Sequence, residues 1–392
     1  MLEHAIWWQV FPLGALGAPI HTAHGEPTNR LRRLSEWLGY AVELGCNGLL
    51  LNPIFASVSH GYDTLDHFRI DPRLGDEADF DALIAHSREL GLNVVLDGVF
   101  NHVARSHPIV TERPGLIAWD GDRPRGWEGH ADLVELDHSN PEVADLVVDV
   151  MLHWLRRGVA GWRLDVAYAV PAEFWRAVLA RVRAEFPAAV FIGEVIHGDY
   201  AGFVAASTLD TLTQYELWKG IWSSLKERNL WELAHAITRH DEFCREFIPQ
   251  TFVGNHDVTR IATLVGPELA PVAAAVLLSL PGSPSIYYGD EQGFTGTKRE
   301  QAGGDDEVRP ALPATPAELS PLGQPLWRHH QGLIGFRRRH PWLSTARVEV
   351  LEKENLRLAY RCSSGDNALL VRIDLTTGSV ELDSGGEQLR IG

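Results

Sequence analysis

The chain has 392 residues, of which 45% are apolar and 22% charged, and a formal net charge of −17. That length exceeds one ordinary domain and fits one large α/β barrel with a small appendage, while the apolar content excludes a disordered or low-complexity chain. The acidic balance argues against a nucleic-acid backbone or an anionic membrane surface as partner, because nothing supplies a cationic footprint.

Ala5–Phe11 reads as a first strand, and nothing before it has the basic segment and long apolar run of a secretory leader. A β-branched run followed by a longer amphipathic stretch then recurs. The further strand candidates are Gly48–Asn52, Asn93–Phe100, Gly161–Asp165, Val190–Glu194, Thr208–Gln214, Gln250–Val253 and Ser285–Tyr288. Helical stretches lie between them at Asn29–Leu44, Asp76–Leu90, Pro141–Arg157, Pro171–Phe186, Leu230–Phe243 and Pro267–Ser279. Asp76-Glu77-Ala78-Asp79 is a helix start and Gly91 a stop. The apolar run near Ala270–Leu280 is too short to span a bilayer. Eight such alternations spell a closed parallel (β/α)8 barrel over residues 1–340. The polar stretch 103–140 is an elaborated loop after the third strand, with Trp119 and Trp127 as possible stacking surfaces. Residues 341–392 change to short alternating strands (Val348–Leu351, Arg357–Cys362, Ala368–Ile373, Val380–Leu382) and form a small antiparallel β domain. Cys46, Cys244 and Cys362 are too far apart for a disulfide framework or a zinc site. A reducing, cytoplasmic setting is the expectation.

In a barrel, polar residues just past the C-terminal strand ends face the active-site mouth. Here these are Asp97-Gly98-Val99-Phe100-Asn101-His102 after the third strand, Gly161-Trp162-Arg163-Leu164-Asp165 in the fourth, Gly193-Glu194 at the fifth, and Gly254-Asn255-His256-Asp257 after the seventh. An Arg163–Asp165 pair alone is more often structural, and Asn255-His256-Asp257 alone reads as a helix cap. Isolated acids at several strand ends on one rim are costly to bury without a task. Paired carboxylates across a sugar-sized mouth are what glycoside hydrolysis requires. No G-x-S-x-G, P-loop or H-E-x-x-H competes.

These four segments resemble, in order and spacing, the signature regions of the α-amylase family, glycoside hydrolase family 13. The likeness runs from about Ile6 to Pro310. It includes His60-Gly61-Tyr62-Asp63-Thr64 and Pro284–Glu291, and it is nearest to the cyclomaltodextrinase, neopullulanase and maltogenic amylase group. The resemblance implies that Asp165 is the nucleophile, Glu194 the general acid/base and Asp257 a stabiliser of the transition state. It also implies that Arg163 orients Asp165, that His102 and His256 bond the sugar at the cleaved position, and that Tyr62 stacks beneath it with Asp63 in support. Asp305 and Arg309 would meet the next sugar. Asp97 and Asn101 would be structural, and no cofactor is required, although calcium is possible at Asn101 and Asp137. The partner would be an α-glucan oligosaccharide, cleaved at α-1,4 bonds with retention; glucanosyl transfer by the same intermediate and a non-catalytic barrel are the alternatives. Two departures from that group stand out: Leu133–Asp137 replaces its M-P-K-L-N, and Tyr168-Ala169 replaces its Asn-Glu. The expected electrostatics are that Arg163 favours ionised Asp165, while apolar Val195 and Ile196 keep Glu194 protonated.

Overall fold

The computed structural model describes residues 1–22, 28–301 and 303–392. Eight parallel strands form one sheet: β1 (Trp7–Val10), β2 (Gly48–Leu51), β3 (Asn93–Gly98), β4 (Gly161–Leu164), β5 (Val190–Gly193), β6 (Thr211–Leu212), β7 (Gln250–Phe252) and β8 (Ser283–Tyr287). Each pairs with its neighbour in chain order, and β1 pairs with β8. A parallel bridge between Thr213 and Gln250 joins β6 to β7, so the ring closes as expected for a (β/α)8 barrel. All strand residues but Asn93 are buried, which is why these runs read as continuously apolar rather than alternating.

The helices that cover the ring are α1 (Arg30–Leu44), α2 (Glu77–Glu89), α3 (Pro141–Arg156), α4 (Ala172–Glu185), α5 (Tyr200–Ser207), α6 (Tyr215–Glu227), α7 (Trp231–Phe243), α8 (Ala270–Ser279) and α9 (Gln324–Arg339). The start of α2 is a reciprocal capping box between Asp76 and Asp79, and Gly91 (φ 74°) ends it in the left-handed region.

Two strands are shorter than their sequences suggest. β3 stops at Gly98 because the Phe100 ring folds back onto it; a Cβ there would lie 2.3 Å from that ring. β6 keeps only two residues, because Thr208 (φ 63°) ends α5 in the left-handed region and Gln214 already caps α6 through its side chain.

Beyond β3, His102–Ala104, His130–Glu135 and Gly126–Trp127 form a small antiparallel sheet within the 103–140 loop. A second hairpin, Phe55–Ser57 with Thr64–Ile70, follows β2 and was not foreseen. The C-terminal sheet has five antiparallel strands: β9 (Arg347–Lys353), β10 (Arg357–Ser364), β11 (Asn367–Asp374), β12 (Ser379–Asp383) and β13 (Gln388–Ile391). The fifth was missed because only Ile391 of its four residues is buried, so it shows no apolar pattern. This sheet lies against α8, where Ser279 Oγ meets Tyr360 Oη at 2.7 Å and Cys362 Sγ donates to Ser279 O. Nine of the ten α8 residues are buried, which explains the apolar run near 270–280. Among the described residues no helix is long and apolar enough to cross a membrane, and the three cysteines are unpaired.

Burial pushes the imidazoles of His107, His240 and His330 down to about 4, from an ordinary value of 6.5. The unfolded chain binds these protons near pH 6.5 and the fold refuses them until about pH 4. Stability is therefore full above 6.5 and is lost as pH falls from 6.5 towards 4, by up to about 3 kcal/mol per group. Urea midpoints measured at pH 7 and pH 4.5 check this; the midpoint is expected to drop steeply, whereas equal midpoints would contradict it.

Candidate active site

Register brings the acids together. Arg163 in β4 lies opposite Asp97 in β3, and Leu164 lies opposite both Gly98 and Gly193. Asp165 N then donates to Gly98 O, and Glu194 N to Leu164 O, so the two acids leave adjacent strands at one level. The Arg163 guanidinium is buried between them. Its Nη1 donates to both Asp97 oxygens and to Asp165 Oδ1, each at 2.9 Å, and its Nη2 meets Glu194 Oε1 at 2.6 Å. A second grip on Glu194 was not legible in the sequence. Val166 N donates to Oε2 at 2.9 Å, and Tyr215 Oη, at the start of α6, donates to Oε1 at 3.2 Å. Val166 makes its bond with φ at 39°, a region that a β-branched residue enters only under strain.

The expected electrostatics need correcting. Burial pushes the Asp165 carboxyl well up; Arg163 opposes this, and the neighbouring Glu194 and Asp97 add to it. Arg163 does not serve Asp165 alone, because its one charge is divided among three carboxylates. Glu194 does not sit in an apolar pocket: Ile196 is 41% exposed, and the Glu194 oxygens are met by donors. Three buried acids on one guanidinium cannot all ionise cheaply, and the Asp165 carboxyl is the one whose charged form burial and its neighbours disfavour.

Asp257 sits in the opposite environment. Burial pushes its carboxyl up, but His256, Arg309 and Lys298 outweigh that and hold it well below the carboxylate range. His256 Nε2 lies 2.9 Å from one Asp257 oxygen and Arg309 Nη2 3.0 Å from the other. Arg309 also reaches Asp305 (2.9 Å) and the His256 carbonyl (3.0 Å) and is buried, so it braces Asp257 from behind. Asp63 accepts from Ser59 within its own loop. His102 Nε2 bonds the Tyr62 carbonyl at 3.1 Å and its ring lies parallel to Trp127 at 6.1 Å; burial lowers it to about 4, so it is neutral near pH 7.

A cleft of about 350 Å³ opens over this floor, lined by Tyr62, His102, Asp165, Glu194 and Asp257. Arg163, His256, Asp63, Asp305 and Arg309 are not part of its lining. Trp127, Glu128, Tyr168, Tyr215 and Lys298 also line it, and the sequence reading assigned none of them a role in the cleft floor except Trp127 as a possible platform. A larger hollow of about 590 Å³ lies between α7 and β9, but its one buried carboxylate, Asp241, is already bonded by Arg347 and Arg245. Among the described residues no group of three or more His, Cys, Asp or Glu is placed to hold a metal. Asn101 Nδ2 contacts His102, and Asp137 Oδ1 accepts from Ser139 N and Oγ, so the two do not form the oxygen cage that calcium takes.

An eight-stranded barrel with opposed acids at its C-terminal mouth, gripped by one arginine over a sugar-sized cleft, defines a barrel glycoside hydrolase. The comparisons agree. The family model described as "Alpha amylase, catalytic domain" matches residues 22–114 and 117–361. A cyclomaltodextrinase from Geobacillus thermopakistaniensis is 28% identical over 97% of this chain and 70% of its own length. A maltogenic alpha-amylase from Bacillus acidopullulyticus is 28% identical over 97% and 71%. Among solved structures, the cyclic alpha-maltosyl-(1→6)-maltose hydrolase of Arthrobacter globiformis superposes with a TM-score of 0.81 at 26% identity, covering 95% of this chain and 90% of that one. The chain belongs to the α-amylase family.

Replacing Arg163 by Lys keeps the charge but loses the fork that spans Asp165 and Glu194. Hydrolysis is expected to fall by about a thousandfold or more. Rates on an α-glucan oligosaccharide, with circular dichroism to confirm folding, check this; a folded variant within tenfold of the parent would contradict it.

Proposed function

We propose that the protein hydrolyses α-1,4-glucosidic bonds of malto-oligosaccharides and related dextrins with retention of configuration. The observation that carries this reading is the single guanidinium joining Asp165 to Glu194. A retaining mechanism needs two carboxyls ~5–5.5 Å apart, one to attack and one to protonate. In the first step an Asp165 oxygen bonds to the anomeric carbon as the glycosidic C–O bond breaks, and the Glu194 proton passes to the leaving oxygen. In the second, Glu194 takes a proton from water, whose oxygen bonds to the anomeric carbon and frees Asp165. Asp257, held ionised by His256 and Arg309, binds ring hydroxyls of the distorted sugar. Tyr62 lies beneath that ring, and the neutral His102 imidazole, its one N–H given to the Tyr62 carbonyl, flanks it.

Residues 1–340 form the catalytic unit in this reading, with 103–140 as a low wall of the cleft, and 341–392 a separate β domain. The enzyme works in the cytoplasm and needs no cofactor or calcium. A low wall gives few contacts to distant rings, so short oligosaccharides are preferred over polymeric starch, with little gain from added length.

Transfer to a sugar hydroxyl is the second reading. It is favoured by the likeness, at 26% identity over 88% of this chain, to a 4-alpha-glucanotransferase of Thermotoga neapolitana. Chromatography of the products from maltotriose decides between them: glucose and maltose alone support hydrolysis, and longer oligomers show transfer.

Two measurements test the assignments. Asp165→Asn is expected to lose several powers of ten in turnover while remaining folded; near-normal hydrolysis of maltotriose would refute the nucleophile. Glu194→Gln is expected to lose far more activity on maltotriose than on a maltosyl fluoride, whose leaving group needs little protonation. Equal losses would mean that Glu194 is not the acid.

A further inference from the structure

The hydrogen bonds around His256 run in one direction only, and that direction begins at Asp97. Asp97 receives donors throughout: Arg163 Nη1 at both oxygens, and Tyr62 Oη (2.9 Å) and Asn52 Nδ2 (3.0 Å) at Oδ2. Asn52 must therefore turn its amide nitrogen to Asp97, which leaves its Oδ1 facing Gln9 in β1. Gln9 must answer with its own nitrogen, and its Nε2 lies 3.2 Å from Asn52 Oδ1. The same Gln9 Nε2 is 3.2 Å from His256 Nδ1, so its second proton points at that ring nitrogen. An amide nitrogen can only donate. Nδ1 is then an acceptor and the ring proton resides on Nε2. From there it faces Asp257 Oδ2 at 2.9 Å and the Tyr62 oxygen, whose own proton is committed to Asp97. The long 3.3 Å contact between Asn52 Nδ2 and His256 Nε2 is what two donors would show. Phe11 lies parallel to the imidazole on another side and offers no polar atom.

We propose that Gln9 is a positioning residue that holds His256 as its Nε2–H tautomer, completing a relay of fixed hydrogen-bond polarity from Asp97 through Asn52 to Asp257. Gln9 and Asn52 are 6% and 0% exposed, and neither lines the cleft, so they act only through their partners. Other charged or titratable groups near the ring are accounted for: Arg309 Nε bonds the His256 carbonyl rather than its side chain, and Asp97 and Arg163 act through Asn52 and Tyr62. The consequence is that the ring presents a hydrogen-bond donor, not a lone pair, towards Asp257. A ring nitrogen's role is set by the bond its other nitrogen makes, and such supporting partners are commonly worth ten- to a hundredfold in activity.

The tautomer is read from the full chain labelled with ¹⁵N in its histidines, with no substrate present, so this readout is independent of the functional reading above; only the kinetic readout rests on it. His256 is assigned by comparison with the His256→Gln spectrum. The resting protein is expected to show an unprotonated Nδ1 and a protonated Nε2 for this ring; a proton on Nδ1 would overturn the proposal without any variant. Gln9→Glu then places an acceptor opposite Nδ1. The proton is expected to appear on Nδ1, and kcat to fall by about ten- to a hundredfold with a smaller change in KM. Gln9→Leu removes the bond without reversing it, and the Nε2–H signature is expected to give way to a mixture of both tautomers. A His256 signature that Gln9→Glu and Gln9→Leu both leave unchanged would show that Gln9 merely packs, and would also overturn it.

Discussion

One buried guanidinium sets the terms for the whole mouth of this barrel. Arg163 is nearly inaccessible to water and binds three acids from three strands. A lone buried charge is costly, and so is each buried carboxylate, but the four together are tolerable when every oxygen has a donor. The β3–β4 and β4–β5 registers keep them together, because a one-residue slip of β4 would turn Arg163 from the barrel interior to the helix layer. The same dependence explains why the site draws on so much of the chain. Asn52 just past β2 and Tyr62 from the following hairpin add donors to Asp97 Oδ2, and Tyr215 from α6 adds one to Glu194 Oε1, oxygens that Arg163 also binds.

The two halves of the floor use opposite electrostatics. On the β4–β5 side, acids outnumber the cation and burial favours a retained proton. On the β7–β8 side, Asp257 meets Arg309, Lys298 and His256, and its charge is strongly held. One cleft thus holds a carboxyl pushed up and a carboxyl held down, and the barrel achieves this by placing Arg309 beside Asp257.

The barrel was legible in the sequence because its signal is repetitive: eight buried apolar runs, each followed by a helical stretch. The acids were legible because they stand beside glycines and histidines at strand ends and resemble known signature regions. What escaped depends on distant pairing. β6 shrinks to Thr211–Leu212 because the residues at its two ends are engaged by the adjoining helices. The hairpin after β2 and the strand Gln388–Ile391 carry little apolar alternation. Neither the strained Val166, Tyr215 nor Gln9 announces itself locally, since each acts on a residue contributed by another strand. The raised Asp165 carboxyl was not legible for the same reason: Arg163 stands two residues away in the sequence, but burial and the acids of adjoining strands decide.

The position of α8 bears on how the chain reaches this state. It is apolar on nearly every side, held between the barrel and a sheet whose strands come later in the chain, after β8 and α9. During synthesis its outer face has no cover until β10 emerges and Tyr360 and Cys362 dock on Ser279. Exposed apolar surface at that stage is where chains stick to one another or are captured by chaperones. The C-terminal sheet gives no residue to the cleft lining; what it supplies is cover for a helix that would otherwise leave an apolar face bare.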